Sequence, residues 1–266
     1  QSSPASGTIR LELTDDCKMA DEAYTLVVEP NSILLQASSE AGLFYAKEAL
    51  LQLSRFGKGN VRACKIQDQP RYGWRGFMLD ESRHFFGKEK VKQYLDLMAL
   101  LHLNVFHWHL TDDQGWRIEI KRYPLLTEIG SVRRETVIGR YDKTDESRNR
   151  YDGKPYGGFY TQEQMREIIA YARSRQVTVV PEIDLPGHSY AAMHAYGDLI
   201  CDGVDFPVEG KQGRDSVCMG RPETLRFVKD VVDELKAVFP PGSPIHLGHD
   251  EVSAEAGKNA GIARTA

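Results

Sequence analysis

Two carboxylates stand side by side near the end of the chain, Asp250 and Glu251 in the run His246-Leu247-Gly248-His249-Asp250-Glu251. Like charges this close repel, so one of the pair should hold a proton near neutrality. Acid/base chemistry needs such a pairing: one group gives a proton while its neighbour stays charged. The plainer alternative is a helix N-terminus decorated with acids, which stabilise the helix dipole. If residues 245–248 form a strand, His246, Gly248 and Asp250 share one face and Gly248 leaves room for an approaching group. His249 then points the other way, as does Glu251 unless the strand has ended.

Three further clusters carry similar chemistry. In residues 104–113, His107 and His109 share a strand face, with Asp112 and Asp113 just beyond. Histidines two apart with carboxylates downstream suit a metal, but equally suit packed, hydrogen-bonded groups that hold strand-end acids. In residues 181–188, Glu182 and Asp184 share a face, and the Pro186-Gly187 turn presents His188 to tune a general acid or to tie the loop down. In residues 80–86, Arg83 offers a fork for sugar hydroxyls or a carboxylate, or an ion pair with Asp80. Trp74, Trp108 and Trp116 offer stacking surfaces, but three tryptophans in 266 residues read mainly as core.

The elements that must position these residues change character along the chain. Apolar alternation at Ile9-Leu11-Leu13, Tyr24-Leu26-Val28 and Ile33-Leu35-Ala37 predicts three half-buried strands. A helical face follows at Leu43, Ala46, Ala49, Leu50 and Leu53, with Gly57 past its end. Asp68-Gln69-Pro70 marks a seam between a small α+β unit, residues 1–70, and the remainder, residues 71–266. From Tyr72 the pattern is strand then helix. Strands are predicted at 77–80, 104–110, 177–183 and 245–248. Helices are predicted from 88 to 102, from a Thr161/Gln164 capping box, and from Pro222 to Phe239. Residues 111–160 form a long polar excursion with little periodicity. The polar clusters fall just after each strand, where a (β/α)₈ barrel builds its active site. A doubly wound sheet also binds ligands there, but no glycine-rich phosphate loop follows any strand. Four strand–helix units predict the first half of a TIM-type barrel.

Composition narrows the function. The net charge of −4 offers no basic surface for nucleic acid, and no apolar run approaches the ~18 residues of a membrane span. Four cysteines, Cys17, Cys64, Cys201 and Cys218, form no C-x-x-C pair, which removes zinc-knuckle and thioredoxin-type motifs. One pair in each half suits two disulfides in an oxidising compartment, Cys201–Cys218 ahead of Cys17–Cys64. Four buried cytosolic thiols are the alternative. The start, residues 1–7, reads as a polar leader left after processing or as a cut end.

Taken together, these segments resemble the β-N-acetylhexosaminidases of glycoside hydrolase family 20. The likeness runs from about Ile33 to the end, strongest at residues 75–86, 104–116, 181–188 and 246–251. The resemblance implies an exo-acting, retaining hydrolase of terminal GlcNAc or GalNAc, with no cofactor and no metal. In this family the sugar's own 2-acetamido oxygen replaces an enzyme nucleophile. It casts Glu251 as general acid then base, Asp250 as the holder of the acetamido nitrogen and Arg83 as the sugar-binding residue. Asp112 and His188 support Glu251, and Asp184 lies near Asp250. Cys201 and Cys218 match a loop disulfide of relatives, and the compartment implied is secreted, periplasmic or lysosome-like.

This sequence departs from the family in two ways. His249 stands where most members have Gly, and the aromatic sugar pocket of the barrel's second half has no counterpart here. A second chain or segment is therefore expected to complete the barrel around an N-acetylhexosaminide glycan. Two other readings remain at this point: a metal-dependent amidohydrolase or deacetylase resting on His107, His109, His188 and Asp250, and a non-catalytic sugar-binding chain.

Overall fold

The computed structural model describes residues 7–15, 19–142, 144–201 and 216–252. The chain divides into two compact units. One holds the described residues up to Gly76 with Tyr94–Val105 and Ala172–Val177. The other holds Phe77–Gln93, Phe106–Tyr171 and the described residues from Thr178 onward. Among the described residues no helix is long and apolar enough to cross a membrane.

The first unit contains β1 (Thr8–Leu13), β2 (Tyr24–Glu29), β3 (Ser32–Ala37), α1 (Glu40–Phe56) and β4 (Cys64–Asp68). The sheet order is β1-β3-β2-β4, with β3 and β4 antiparallel to β2 and β1 parallel to β3. Alternation on β2 and β3 buries Tyr24, Leu26, Val28, Leu35 and Ala37 against α1, as the sequence predicts. Ser39 caps α1 by accepting from the Gly42 amide at 3.1 Å.

Two details differ from expectation. The most buried positions of α1 are Gly42, Tyr45 and Ala46, while Leu50 and Leu53 pack only partly. Gly42 sets this face, because a Cβ there would fall 2.4 Å from the Ala23 carbonyl oxygen and 2.7 Å from the Ala37 Cβ. The helix sits closest to the sheet where it has no side chain. Ile9, Leu11 and Leu13 alternate as a strand should but are exposed, because β1 is an edge strand beyond the reach of that face. Among the described residues Cys64 has no disulfide partner, and its expected partner Cys17 lies outside them.

The second unit holds β5 (Gly76–Asp80) from Phe77 onward and the first turns of α2 (Lys88–Leu100), whose residues from Tyr94 belong to the first unit. It continues with β6 (Val105–Asp112), β7 (Gly115–Trp116), α3 (Leu125–Glu128), β8 (Val132–Arg133), β9 (Tyr156–Gly157), α4 (Gln162–Arg173), β10 (Thr178–Ile183), α5 (Tyr190–Ala195) and α6 (Pro222–Val238). The sheet runs β10-β6-β5, and β7 folds back antiparallel on β6. The capping box forms as read: the Gln164 amide donates to Thr161 Oγ1 at 3.2 Å, and the Thr161 amide donates to Gln164 Oε1 at 3.0 Å. Pro222 opens α6.

The expected fourth strand at 245–248 is reduced to a single parallel bridge, Glu182 with His246. Its backbone meets β10 through His246 N to Pro181 O, Ile183 N to His246 O and Leu185 N to Leu247 O. Gly248, His249 and Glu251 then take φ of 63°, 69° and 51°, left-handed conformations that end the pleat. The alternation assigned to His246, Gly248 and Asp250 therefore stops at Gly248.

The first part of the excursion, residues 111–131, packs into the core together with Tyr160, while none of the described residues from 132 to 159 is buried. Trp116, Ile118, Ile120, Leu126 and Tyr160 are buried there. So is Arg117, whose guanidinium donates to the carbonyls of Glu81, Ser82, Ser131 and Gly158. A Cβ at Gly115 would lie 2.2 Å from that guanidinium, so the bend into the layer needs glycine.

Gly42→Ala separates helix propensity from packing. Propensity alone favours alanine by about 1 kcal/mol, whereas overpacking against fixed backbone costs about 1–3 kcal/mol. The expected result is a lower thermal midpoint for the first unit; a raised midpoint would show that α1 can lift off the sheet.

Candidate active site

The site is built at the ends of β5, β6 and β10. After β5 the chain turns sharply and is pinned at several points. The Asp80 carboxylate accepts the Arg83 amide at 3.0 Å and Arg83 Nη1 at 3.1 Å. Glu81, fully buried, accepts from Trp108 Nε1 at 2.6 Å, from the Tyr160 hydroxyl, and from the amides of Phe86 and Gly87. Burial raises the Glu81 carboxyl above its ordinary value, and those four donors oppose the rise. Ser82 Oγ donates to the Gly115 carbonyl at 2.7 Å.

So fixed, Arg83 projects half-exposed beside β6, with Nη2 2.5 Å from Asp112 Oδ2 and Nε 3.0 Å from Gln114 Oε1. Both sequence readings of Arg83 hold in part. It pairs with Asp80, and its fork stays at the surface of the site. A cavity of about 330 Å³ opens beside it, lined by Asp113, Gln114, Arg133, Tyr151 and Tyr190 among others.

Asp112 is buried at the end of β6 and gathers the rest. Its Oδ1 accepts the Asp113 amide at 2.6 Å and lies 3.4 Å from His188 Nδ1. His188 itself has φ of 49° and follows a cis Leu185–Pro186 bond. Its other nitrogen, Nε2, is 3.7 Å from both Asp250 Oδ2 and Glu251 Oε2. The imidazole thus stands between a buried carboxylate and the exposed pair. Asp184 lies beside them: its Oδ1 accepts the His249 amide at 3.2 Å, and a Cβ at Gly248 would fall 2.0 Å from that same oxygen. Gly248 is therefore required for the pair to approach β10. The structure joins all six expected residues, Arg83, Asp112, Asp184, His188, Asp250 and Glu251, into one cluster.

This arrangement has known relatives. The family model for the glycosyl hydrolase family 20 catalytic domain matches residues 72–264, and that for domain 2 of the same family matches residues 1–69. The chain belongs to glycosyl hydrolase family 20. It is 40% identical over 259 residues to a beta-hexosaminidase of Porphyromonas gingivalis, covering 93% of this chain and 31% of that protein. It is also 40% identical over 253 residues to a beta-N-acetylhexosaminidase of Cellulomonas fimi, covering 93% of this chain and 47% of that protein. The chain thus spans about a third to a half of the length of these relatives. Among solved structures it is similar to the Vibrio harveyi family 20 exo beta-N-acetylglucosaminidase in complex with N-acetylglucosamine. That match has a TM-score of 0.80 and 36% identity, and covers 96% of this chain and 40% of that one. The Streptomyces plicatus N-acetyl-beta-hexosaminidase in complex with Thio-NAglucal matches with a TM-score of 0.78 and 39% identity, covering 96% of this chain and 50% of that one. These neighbours imply a TIM-barrel-containing fold with an N-terminal domain.

The disulfide that the family likeness implied, Cys201–Cys218, is formed. Burial and crowding shift several groups of this family 20 site. The carboxyl pushed up to about 7 is Asp184, by burial first and by Asp250 next, with His188 opposing. Asp113 is pushed up to about 6 by burial and by Asp112. Asp184 is thus a carboxyl beside the pair that burial and Asp250 together push up. Burial disfavours a charged His188, but Asp112, Asp113, Asp184 and Asp250 outweigh it and raise its pKa.

The four ligands of the metal-dependent reading do not converge. His107 groups with Glu182 and His246, and His188 groups with Asp184 and Asp250. His107 Nε2 lies 2.6 Å from Glu182, and His109 lies between Glu182 and Asp112, as packed polar groups do. The sequence reading missed Glu81 and Arg117, which brace the Arg83 turn. Tyr160 and Trp108 mark the Glu81 pocket but gave no periodic signal. The alternation of Trp116, Ile118 and Ile120 was the available clue to the Arg117 layer.

The shifts predict a pH dependence. Asp113, Asp184 and His109, the last raised to about 9, have folded pKa values above their unfolded ones. Their contribution is present at low pH and is lost as pH rises through about 6, 7 and 9. Glu182 is shifted the opposite way, to about 2, and its contribution is complete above its unfolded value of 4.5. The thermal midpoint of the second unit should fall steadily from pH 4.5 to pH 9 in calorimetry; a midpoint that rises over this range would contradict these shifts.

Proposed function

We propose that this chain supplies the acid–base half of an exo-acting β-N-acetylhexosaminidase, which removes terminal non-reducing GlcNAc or GalNAc by retaining, substrate-assisted hydrolysis. The supporting observation is the bridge of His188 from buried Asp112 to the adjacent acids Asp250 and Glu251. Family membership supplies the chemistry that such an arrangement serves.

In this reading Glu251 gives its proton to the leaving glycosidic oxygen. As that bond breaks, the carbonyl oxygen of the 2-acetamido group forms a bond to the anomeric carbon, giving an oxazolinium ion. Asp250 accepts a hydrogen bond from the acetamido N–H and balances the positive charge that develops there. The Glu251 carboxylate then takes a proton from water, which attacks the anomeric carbon, reopens the ring and restores the acetamide. Two inversions leave the configuration retained. Arg83 binds hydroxyls of the terminal sugar through its exposed fork. Asp184, buried beside Asp250 and pushed up to about 7, limits the crowding of negative charge when it is protonated. His188 and Asp112 orient Glu251.

Residues 1–70 form the accessory α+β domain, and residues 71–266 contribute the first four strand–helix units of the barrel. A further segment or a second chain completes the barrel and the pocket. The cavity beside Arg83 falls in the size range of small-ligand sites, roughly 300–1,000 Å³. A secreted, periplasmic or lysosome-like location fits the disulfide.

A nitrophenyl GlcNAc whose acetyl group is progressively fluorinated tests the nucleophile. Each fluorine weakens the carbonyl oxygen, so kcat/KM of the full-length enzyme should fall steeply along the series. A flat response would sink the substrate-assisted reading. Glu251→Gln should lower kcat by about 10²–10⁴-fold, the range for loss of a general acid–base. Asp250→Asn should flatten the fluorine dependence as well as slow the reaction; small, equal effects of both changes would refute the division of roles.

A further inference from the structure

Beneath the reacting groups lies a buried pair that the mechanism above does not use. Glu182 is in the inward run of β10, and His109 is opposite it on β6. Glu182 Oε2 accepts from His109 Nδ1 at 2.8 Å and from His107 Nε2 at 2.6 Å, and Oε1 lies 3.2 Å from His246 Nδ1. His109 Nε2 reaches Asp112 Oδ2 at 3.1 Å. Arg83 Nη2 reaches that same oxygen at 2.5 Å. Glu182, His109 and Asp112 all have side chains below a tenth exposed.

We propose that Glu182 and His109 are a positioning pair: the Glu182 carboxylate fixes the His109 imidazole, and the imidazole fixes Asp112 where it meets both Arg83 and His188. This inference rests on the hexosaminidase reading for its consequence, though not for its geometry.

Nδ1 of His109 faces the Glu182 carboxylate, and Nε2 faces both the Asp112 carboxylate and the Arg83 guanidinium. A charged ring donates to both carboxylates, whereas a neutral ring keeps only the Glu182 bond and meets Asp112 with a lone pair that Arg83 Nη1 alone satisfies. The groups facing His109 are Glu182 from β10, Asp112 from β6, Asp80 from β5, and Arg83, whose Nη1 lies 3.1 Å from His109 Nε2. Two cations therefore converge on one Asp112 oxygen, an arrangement that three carboxylates offset. Burial lowers the His109 pKa, and the hydrogen bonds to Asp112 and Glu182 override it and raise it to about 9. Glu182, despite burial, is held near 2 by His109, His107 and His246.

The pair also explains a division along Asp112. Oδ2 is committed to His109 and Arg83, so Oδ1 is left for the Asp113 amide and His188. A rotation of the carboxylate would exchange these partners and disturb sugar binding and proton transfer together.

The test uses the full-length enzyme with nitrophenyl-GlcNAc, together with Glu182→Gln and His109→Gln. The imidazole of His109 is also titrated by nitrogen NMR, and folding is checked by near-ultraviolet circular dichroism. In the parent, His109 should stay protonated until about pH 9. In Glu182→Gln its midpoint should fall by at least about one pH unit, toward the ordinary ~6.5. The alkaline limb of kcat/KM should follow it down. His109→Gln should lower kcat/KM by about 10²-fold across the pH range, the scale of an ångström misplacement. A parent His109 midpoint at or below ~6.5 overturns the proposal even if both variants fail to fold. So does a Glu182→Gln profile that is lowered uniformly without moving along the pH axis. A parent that does not turn over substrate refutes the hexosaminidase reading instead, and the titration still decides whether the pair exists.

Discussion

The second unit depends on the Asp112 carboxylate, which is buried and still must serve several partners. An ionised carboxylate in such a place is costly unless cations and donors surround it. Here Arg83, His109, His188 and the Asp113 amide do so, each arriving from a different direction. The requirement explains the surrounding construction. Arg83 reaches Asp112 only because Asp80, Ser82 and Arg117 pin its turn. His188 reaches it only because the loop after β10 turns back through Pro186 and Gly187. Several otherwise unrelated loops are thus tied to one oxygen pair.

Arg117 shows the same economy in reverse. It is a fully buried guanidinium satisfied by main-chain carbonyls, and burial lowers its pKa to about 10. Carbonyl dipoles supply the acceptors without adding another negative charge near Asp80, Glu81 and Asp112. In a region already rich in carboxylates, a further acid paired with Arg117 would have added to the negative charge that, after burial, pushes Asp113 and Asp184 upward.

Much of this was legible in the sequence, and the limits have physical causes. Strands β2 and β3 follow from period-two spacing and helices α1, α4 and α6 from helical spacing, because each buries one face, while β6 and β10 are short runs buried on both faces. The candidate site was legible for a different reason: polar residues fell just past strand ends, where neither strand nor helix needs them. The exposed alternation of β1 misled, since period two fixes a strand but not what covers it. The packed part of the excursion, residues 111–131, shows little periodicity because its core residues, such as Trp116, come from short segments held by tertiary contacts. The partners of Glu182 were not legible either. Its shared face with Asp184 was visible, but its three histidines come from positions 107, 109 and 246, and only the sheet order brings them together.

The turn that carries Asp250 and Glu251 shows why strand alternation was the wrong guide there. A pleat would have sent the two acids to opposite faces. Gly248 and His249 instead turn left-handed, with Gly248 pressed against the Asp184 carboxylate, and Glu251 is left-handed as well. This geometry lets Asp250 and Glu251 both lie 3.7 Å from His188 Nε2. Left-handed backbone costs about 1–2 kcal/mol for a residue with a Cβ, and His249 bears that cost. Its amide bond to Asp184 offsets part of it, and the bond is made because Asp184 stands where the turn must pass. The same carboxylate that forbids a side chain at position 248 therefore helps hold the strained residue beside it. The shared approach of the two acids to His188 begins with that steric limit rather than with their adjacency in the sequence.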